Sequence, residues 1–164
     1  MAEHQLILSL GGNLGNKALI FQETSDLIEN HIGKVTLLSP VYETPAWGFE
    51  SEYPFWNRVL AVSTYLSPLD VLKEIRKIEK RYGRTRKPGV YLSRAMDIDI
   101  LFYDHLILET EELTVPHPLI GKRLFVLAPL ADILPGFIHP LTGNSILDIL
   151  EECPDQSEIK RLSL

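Results

Sequence analysis

The run Ala95–Tyr103, AMDIDILFY, sets a carboxylate at alternate positions inside an apolar stretch. A β-strand accommodates that pattern, because successive side chains point to opposite faces. Asp97 and Asp99 then share one face, with Cα atoms about 6.6–7 Å apart, while Met96, Ile98 and Ile100 share the other. The apolar face has to be covered, so the rest of the chain must supply elements to pack on it. Two carboxylates on one face repel each other unless a cation lies between them. Such a pair suits two Mg²⁺ ions about 3.5–4 Å apart, with substrate phosphates completing the coordination. The alternative is the solvated face of an edge strand, where alternating Asp is ordinary. A basic stretch favours the metal reading: Arg84, Arg86, Lys87 and Arg94 lie just ahead of the pair, and guanidinium groups fork onto phosphoryl oxygens.

The covering elements are legible. Gln5–Leu10 is a buried strand that stops at Gly11-Gly12. Lys17–Ile32 carries apolar residues at Leu19, Ile20, Leu27, Ile28 and Ile32, which predicts an amphipathic helix closed by Gly33. Lys34–Tyr42 and Trp56–Leu66 read as strands. Pro68–Tyr82 is the clearest helix, with Leu69, Leu72, Ile75, Ile78 and Tyr82 as its stripe and Gly83 as its stop. A hairpin-like stretch to Val115 follows, then the turn TVPHP, an apolar helical segment around Phe125–Leu134, and a helix near Ser145–Glu152. Strands and helices mix without strict βαβ alternation, which favours an α+β fold with helices packed on a largely antiparallel sheet. At 164 residues, residues 1–164 are expected to form a single domain that buries roughly 68–70% of its unfolded surface.

Other chemistries have little support. A net charge of −6 argues against a chain built to coat nucleic acid or an anionic membrane. One cysteine, Cys153, excludes an internal disulfide framework and a multi-Cys zinc site. No apolar run approaches a membrane span, and the N-terminus does not read as a signal peptide, so a cytoplasmic location is expected. The turn LGGNLGNK lacks P-loop spacing and reads as a strand-to-helix turn with Asn13 and Asn16 as capping or left-handed residues. The five histidines form no i,i+4 pair; His117, fixed between two prolines, is the one expected to meet a ligand. Glu43–Phe55, rich in Pro and aromatic residues, is either a binding loop or a loop closed by its own aromatic cluster.

Together, SLGGNLGNK, VYETPAWG, FWNRVL, IEKRYGRTR, SRAMDIDILFY and LTVPHPLIGKRLFVLAPL resemble the 6-hydroxymethyl-7,8-dihydropterin pyrophosphokinase family of folate biosynthesis, in order from about Leu6 to Leu134. The resemblance implies a ferredoxin-like core and transfer of the terminal diphosphate of ATP to the pterin hydroxymethyl oxygen, releasing AMP. It implies Asp97 and Asp99 as ligands of two Mg²⁺, and Arg84 and Arg94 on the transferring phosphates. Phe55 and Phe125 would stack on the pterin and Asn57 would bind its edge, in a pocket lined by Thr44, Pro45 and Trp47. Glu79, Arg86, Ile98, Leu113, Thr114, His117 and Arg123 would contact ATP. The loops Glu43–Phe55 and Arg84–Ser93 would close as lids. Partners would be small molecules only, without nucleic acid or membrane, and the chain would act as a monomer. Tyr91, Leu92-Ser93 and Glu112 depart from the family's pattern but touch neither the metal pair nor the stack. The rival readings are a non-catalytic nucleotide-binding module on the same fold and a metal-dependent phosphohydrolase.

Overall fold

The computed structural model describes residues 2–44, 53–83 and 95–163. The chain runs β1 (His4–Gly12), α1 (Lys17–His31), β2 (Gly33–Leu38), β3 (Tyr42–Thr44), β4 (Phe55–Thr64), α2 (Pro68–Arg81) and β5 (Asp97–Tyr103). There follow the small hairpin β6 (Leu108–Glu109) and β7 (Thr114–Val115), a 3₁₀ turn at Ile120–Lys122, α3 (Leu124–Ile133), α4 (Ile146–Glu151) and β8 (Lys160–Arg161). The main sheet is ordered β5-β1-β4-β3-β8, and every pairing is antiparallel. β2 pairs with Leu60–Thr64 of β4 and β3 with Phe55–Asn57, so β2 and β3 are two pieces on the same flank of β4. With those pieces taken as one broken strand, the order is βαββαβ, two interleaved split βαβ units: the ferredoxin-like arrangement.

Alternation along β1 divides the molecule into layers. Leu6, Leu8 and Leu10 face α1 and α2, packing with Phe21, Ile28, Val71, Ile75 and Ile78. Ile7 faces the opposite way, into a second cluster with Val59, Val126, Leu127, Leu130 and Ile146 under α3 and α4. The sheet is thus covered on both faces. In β5 the register with β1 shifts beside Leu101, so Leu101 and Phe102 both face α3 while Ile98, Ile100 and Tyr103 face the α1/α2 layer. A bulge of this kind re-aims side chains without ending the strand.

Several local expectations are corrected. Gly33 does not close α1; it opens β2, where an added Cβ would sit 2.1 Å from the Ser63 carbonyl oxygen. Its role is therefore close approach of two backbones. The expected strand Lys34–Tyr42 is broken after Leu38: Arg58 grips the Ser39 carbonyl through Nε and Nη2 at 3.1 and 2.7 Å, and Pro40 has no N–H for a ladder. Leu19 and Leu69 lie on solvent faces, 53% and 43% exposed. In α2, Ile75 and Ile78 of the expected stripe are buried, with Val71 beside them, and Leu72 and Tyr82 pack partly buried against the same core. Two end signals hold: Gly83 follows α2 at φ 75°, and Asn16 caps α1; the structure adds Ser67, which caps α2 by accepting from Asp70 N.

Candidate active site

On the α3 face, the end of the sheet nearest Gly11 opens into a cleft. Four strands contribute one layer of side chains. Tyr42 pairs with Asn57, Asn57 with Gly11, and Gly11 with Asp97, so these positions form a row across β3, β4, β1 and β5. Ser9 pairs with Asp99 in the adjacent row. Thr44, Phe55 and Asn57 form one wall, Ser9 and Gly11 the floor, and Asp97 and Asp99 the far side. Arg123, Phe125 and Val126, at the start of α3, form the roof. Asn57 is only 5% exposed, and its amide lies where a Cβ on residue 11 would be, 2.8 Å from Oδ1. A glycine at position 11 is what lets that amide lie across the floor. The Arg123 guanidinium stands 5.7 Å from the centre of the Phe125 ring, within cation–π range.

A second cleft wraps the outer edge of β5. Ile98, Asp99 and Ile100 line it with Leu72 and Arg76 of α2 and with Glu112, Leu113, Thr114, His117 and Pro118. Asp99 therefore borders both clefts. The His117 main-chain N–H donates to the Leu101 carbonyl at 3.0 Å, and its Nδ1 accepts from Leu119 N at 3.2 Å. In the neutral ring that leaves the proton on Nε2.

The structure gathers most of the expected residues. Thr44, Phe55, Asn57, Asp97, Asp99 and Phe125 meet in the first cleft, and Ile98, Leu113, Thr114 and His117 in the second. Arg123, expected at the nucleotide, lines the first cleft. Glu79 lines neither. It is 2% exposed, and its Oε2 accepts from the main-chain N of Ile98 at 2.9 Å, so it holds β5 between the two aspartates. Pro45, Trp47, Arg84, Arg86 and Arg94 lie outside the described residues, as do residues 45–52 and 84–93 of the two loops expected to close as lids. Sequence reasoning missed Ser9, Gly11 and Arg76. The first two had a signal: they continue the Ile7 face of β1 with small residues, which leaves room above the sheet. Arg76 stands four residues after Leu72, on the same helical face.

The carboxylate pair suits Mg²⁺. Among the described residues no three His, Cys, Asp or Glu side chains converge as a metal cage. Mg²⁺ is commonly held by one or two carboxylates together with substrate phosphates and water, and hard oxygen donors are what Asp97 and Asp99 offer.

Fold and site together define a class: a ferredoxin-like α+β domain with two clefts that share a carboxylate. Residues 7–135 match the 7,8-dihydro-6-hydroxymethylpterin-pyrophosphokinase (HPPK) family. The chain is 41% identical over 136 residues to the 2-amino-4-hydroxy-6-hydroxymethyldihydropteridine pyrophosphokinase of Porphyromonas gingivalis, covering 81% of this chain and 92% of that one. It is 39% identical over 145 residues to the enzyme of the same name from Aquifex aeolicus, covering 88% and 89%. Among solved structures, the Plasmodium falciparum HPPK-DHPS with SDX-DHP superposes with a TM-score of 0.73 at 19% identity. That match covers 92% of this chain but 44% of the other, and shows the shared fold. The chain belongs to the 7,8-dihydro-6-hydroxymethylpterin-pyrophosphokinase family, and is a diphosphate-transferring enzyme.

Proposed function

We infer that this chain transfers the terminal diphosphate of ATP to the hydroxymethyl oxygen of 6-hydroxymethyl-7,8-dihydropterin, giving the pterin diphosphate and AMP in folate biosynthesis. The observation that carries the reading is the shared Asp99: an aromatic cleft and a second cleft around β5 meet at the carboxylate pair. A flat heterocycle with a polar rim suits Phe55, Phe125 and the buried Asn57 amide, with Thr44 closing the wall. Ile98, Leu113, Thr114 and His117 take the nucleotide, and its phosphates cross toward Asp97 and Asp99. The pterin oxygen attacks the β-phosphorus, the bond from that phosphorus to the α,β-bridging oxygen breaks, and AMP leaves; the hydroxyl proton passes to solvent.

Asp97 and Asp99 would hold Mg²⁺, two ions in this reading, which supply neutralisation of phosphate charge when bound. The protein's own share is alignment and charge complementarity. Arg123 sits beside the cleft for that purpose, and Arg84, Arg86 and Arg94 are assigned to the phosphates, Pro45 and Trp47 to the pterin wall. Residues 1–164 act as one domain, a monomer that takes small molecules in the cytoplasm; the net charge of −6 supports the absence of a nucleic-acid partner.

The test is to incubate the purified chain with ATP, Mg²⁺ and the dihydropterin and to separate the nucleotides. Pterin-dependent AMP is expected. ADP, or ATP bound but unchanged, would overturn the reading, the second result in favour of a nucleotide-binding module. Asp97→Asn should fold normally and lose at least about a hundredfold in turnover, the order seen when charge stabilisation is removed.

A further inference from the structure

The matched family region ends at residue 135, yet the chain beyond it returns to the first cleft. Helix α3 has Arg123 at its N-cap position, and that side chain makes no capping bond. The cap comes from 31 residues away: Asp155 Oδ2 accepts from the main-chain N of Leu124 at 3.0 Å. Asp155 is itself held by Ser157, whose main-chain N donates to Oδ1 at 2.9 Å and whose hydroxyl donates to the same oxygen. Leu124 stands between Arg123 and Phe125, two of the three roof residues, which also pack on each other.

The same segment then crosses to the opposite wall. Lys160 and Arg161 form β8 on β3, facing Glu43 and Tyr42, and Leu162 N donates to the Val41 carbonyl at 2.8 Å. The next residue of β3 is Thr44, in the cleft wall. Arg161 also reaches Asp132 near the far end of α3, at 3.1 Å. One short strap, 155–162, therefore ties the roof of the cleft to its wall.

We propose that this C-terminal strap sets the position of the cleft roof, with Asp155 as a positioning residue for Arg123 and Phe125. It touches no reacting atom. Its carboxylate fixes the first turn of α3, and that turn fixes where the Phe125 ring and the Arg123 guanidinium stand. A carboxylate at a helix N-terminus also meets the positive end of the helix dipole. The assignment of the ring to a pterin rests on the function proposed above; the positioning role does not.

The experiment uses the full chain with Asp155→Ala and Asp155→Asn. The Asn Oδ1 still accepts from Leu124 N, whereas Ala does not. For Asp155→Ala, the KM for the dihydropterin rises about tenfold while kcat per active site stays within threefold, and the Leu124 amide exchanges at least tenfold faster. Asp155→Asn stays within about threefold of the parent in both readouts. A purely structural role predicts the opposite split: activity falling with the folded fraction at unchanged KM, however fast Leu124 exchanges, and that result overturns the proposal. Where Asp155→Ala does not fold, Ser157→Ala, which loosens the carboxylate without removing it, should raise KM about threefold; an unchanged KM there overturns the proposal as well. If the parent chain yields no AMP, the proposed reaction fails, and Leu124 exchange together with the Phe125 ring resonances decides the strap by itself.

Discussion

The sharpest steric test of the site is Gly11→Ala. Gly11 lies in the floor of the first cleft, between Asn57 on β4 and Asp97 on β5. Its φ is outside the left-handed region, so alanine adds a methyl group without backbone strain. That methyl would stand 2.8 Å from Asn57 Oδ1, against ordinary contact beginning at 3.4 Å, so the amide must retreat by about 0.6 Å. Asn57 is buried and cannot retreat as a flexible surface chain would; it must change rotamer or displace its neighbours. Overpacking of this kind costs about 1–3 kcal/mol. Taken from the bound state at 1.4 kcal/mol per decade, this is a loss of roughly 5- to 150-fold in pterin affinity. The assay is a pterin titration at saturating ATP, with ATP affinity measured separately on a fluorescent analogue. Pterin KM should rise at least about fivefold and ATP affinity should stay within about twofold, because Gly11 does not border the second cleft. Equal losses for both substrates, or an unchanged pterin KM, would refute the argument that the missing Cβ places Asn57.

Gly33→Ala should be a folding lesion rather than a catalytic one: its Cβ meets backbone that cannot move aside, at 2.1 Å from Ser63 O. A loss of about 3 kcal/mol corresponds to a melting temperature lower by about 6–12 °C, readable by calorimetry. For Glu79, urea unfolding should separate two variants. Glu79→Gln keeps an acceptor for Ile98 N and stays near the parent, while Glu79→Leu leaves that donor buried and loses about 1–3 kcal/mol. Tyr42 donates to Asp132 at 2.6 Å, and burial, with that hydrogen bond and charge, pushes its pKa up to about 12. The folded value lies above the unfolded one near 10, so its stabilisation is complete below pH 10 and is lost as pH rises toward 12. Phenolate absorbance should show a final component near pH 12 that disappears in Tyr42→Phe.

What the sequence disclosed follows from local periodicity. The faces of Ala95–Tyr103 and the caps of α1 and α2 are written within a few residues of where they act. The broken flank of β4 was hidden because Lys34–Tyr42 is rich in Val, Leu and Thr, and the break depends on Arg58 reaching Ser39 from another strand. Gly33 looked like a helix stop because close approach of two backbones leaves no local trace. The resemblance carried Phe55, Asn57 and Phe125 to one pocket; in the structure β4 and α3 bring them there. The contact of Glu79 with the Ile98 main chain has no sequence signal, because the two lie 19 residues apart on α2 and β5. Asp155 was invisible for a related reason, since its partner lies 31 residues upstream and belongs to a helix that caps itself poorly.

The position of β5 has a consequence of another kind. Among the described residues it is the outermost strand on its side of the sheet, and such a border is where a second chain can dock by extending the ladder. Here the Ile98 N–H is already taken by Glu79 and the Leu101 carbonyl by His117, and the hairpin carrying Leu113 and Thr114 sits against the strand. His117, Leu113 and Thr114, which line the second cleft, thus also blunt the border, together with Glu79. The strand that carries Asp97 and Asp99 is thereby closed at Ile98 and Leu101 to extension by another strand.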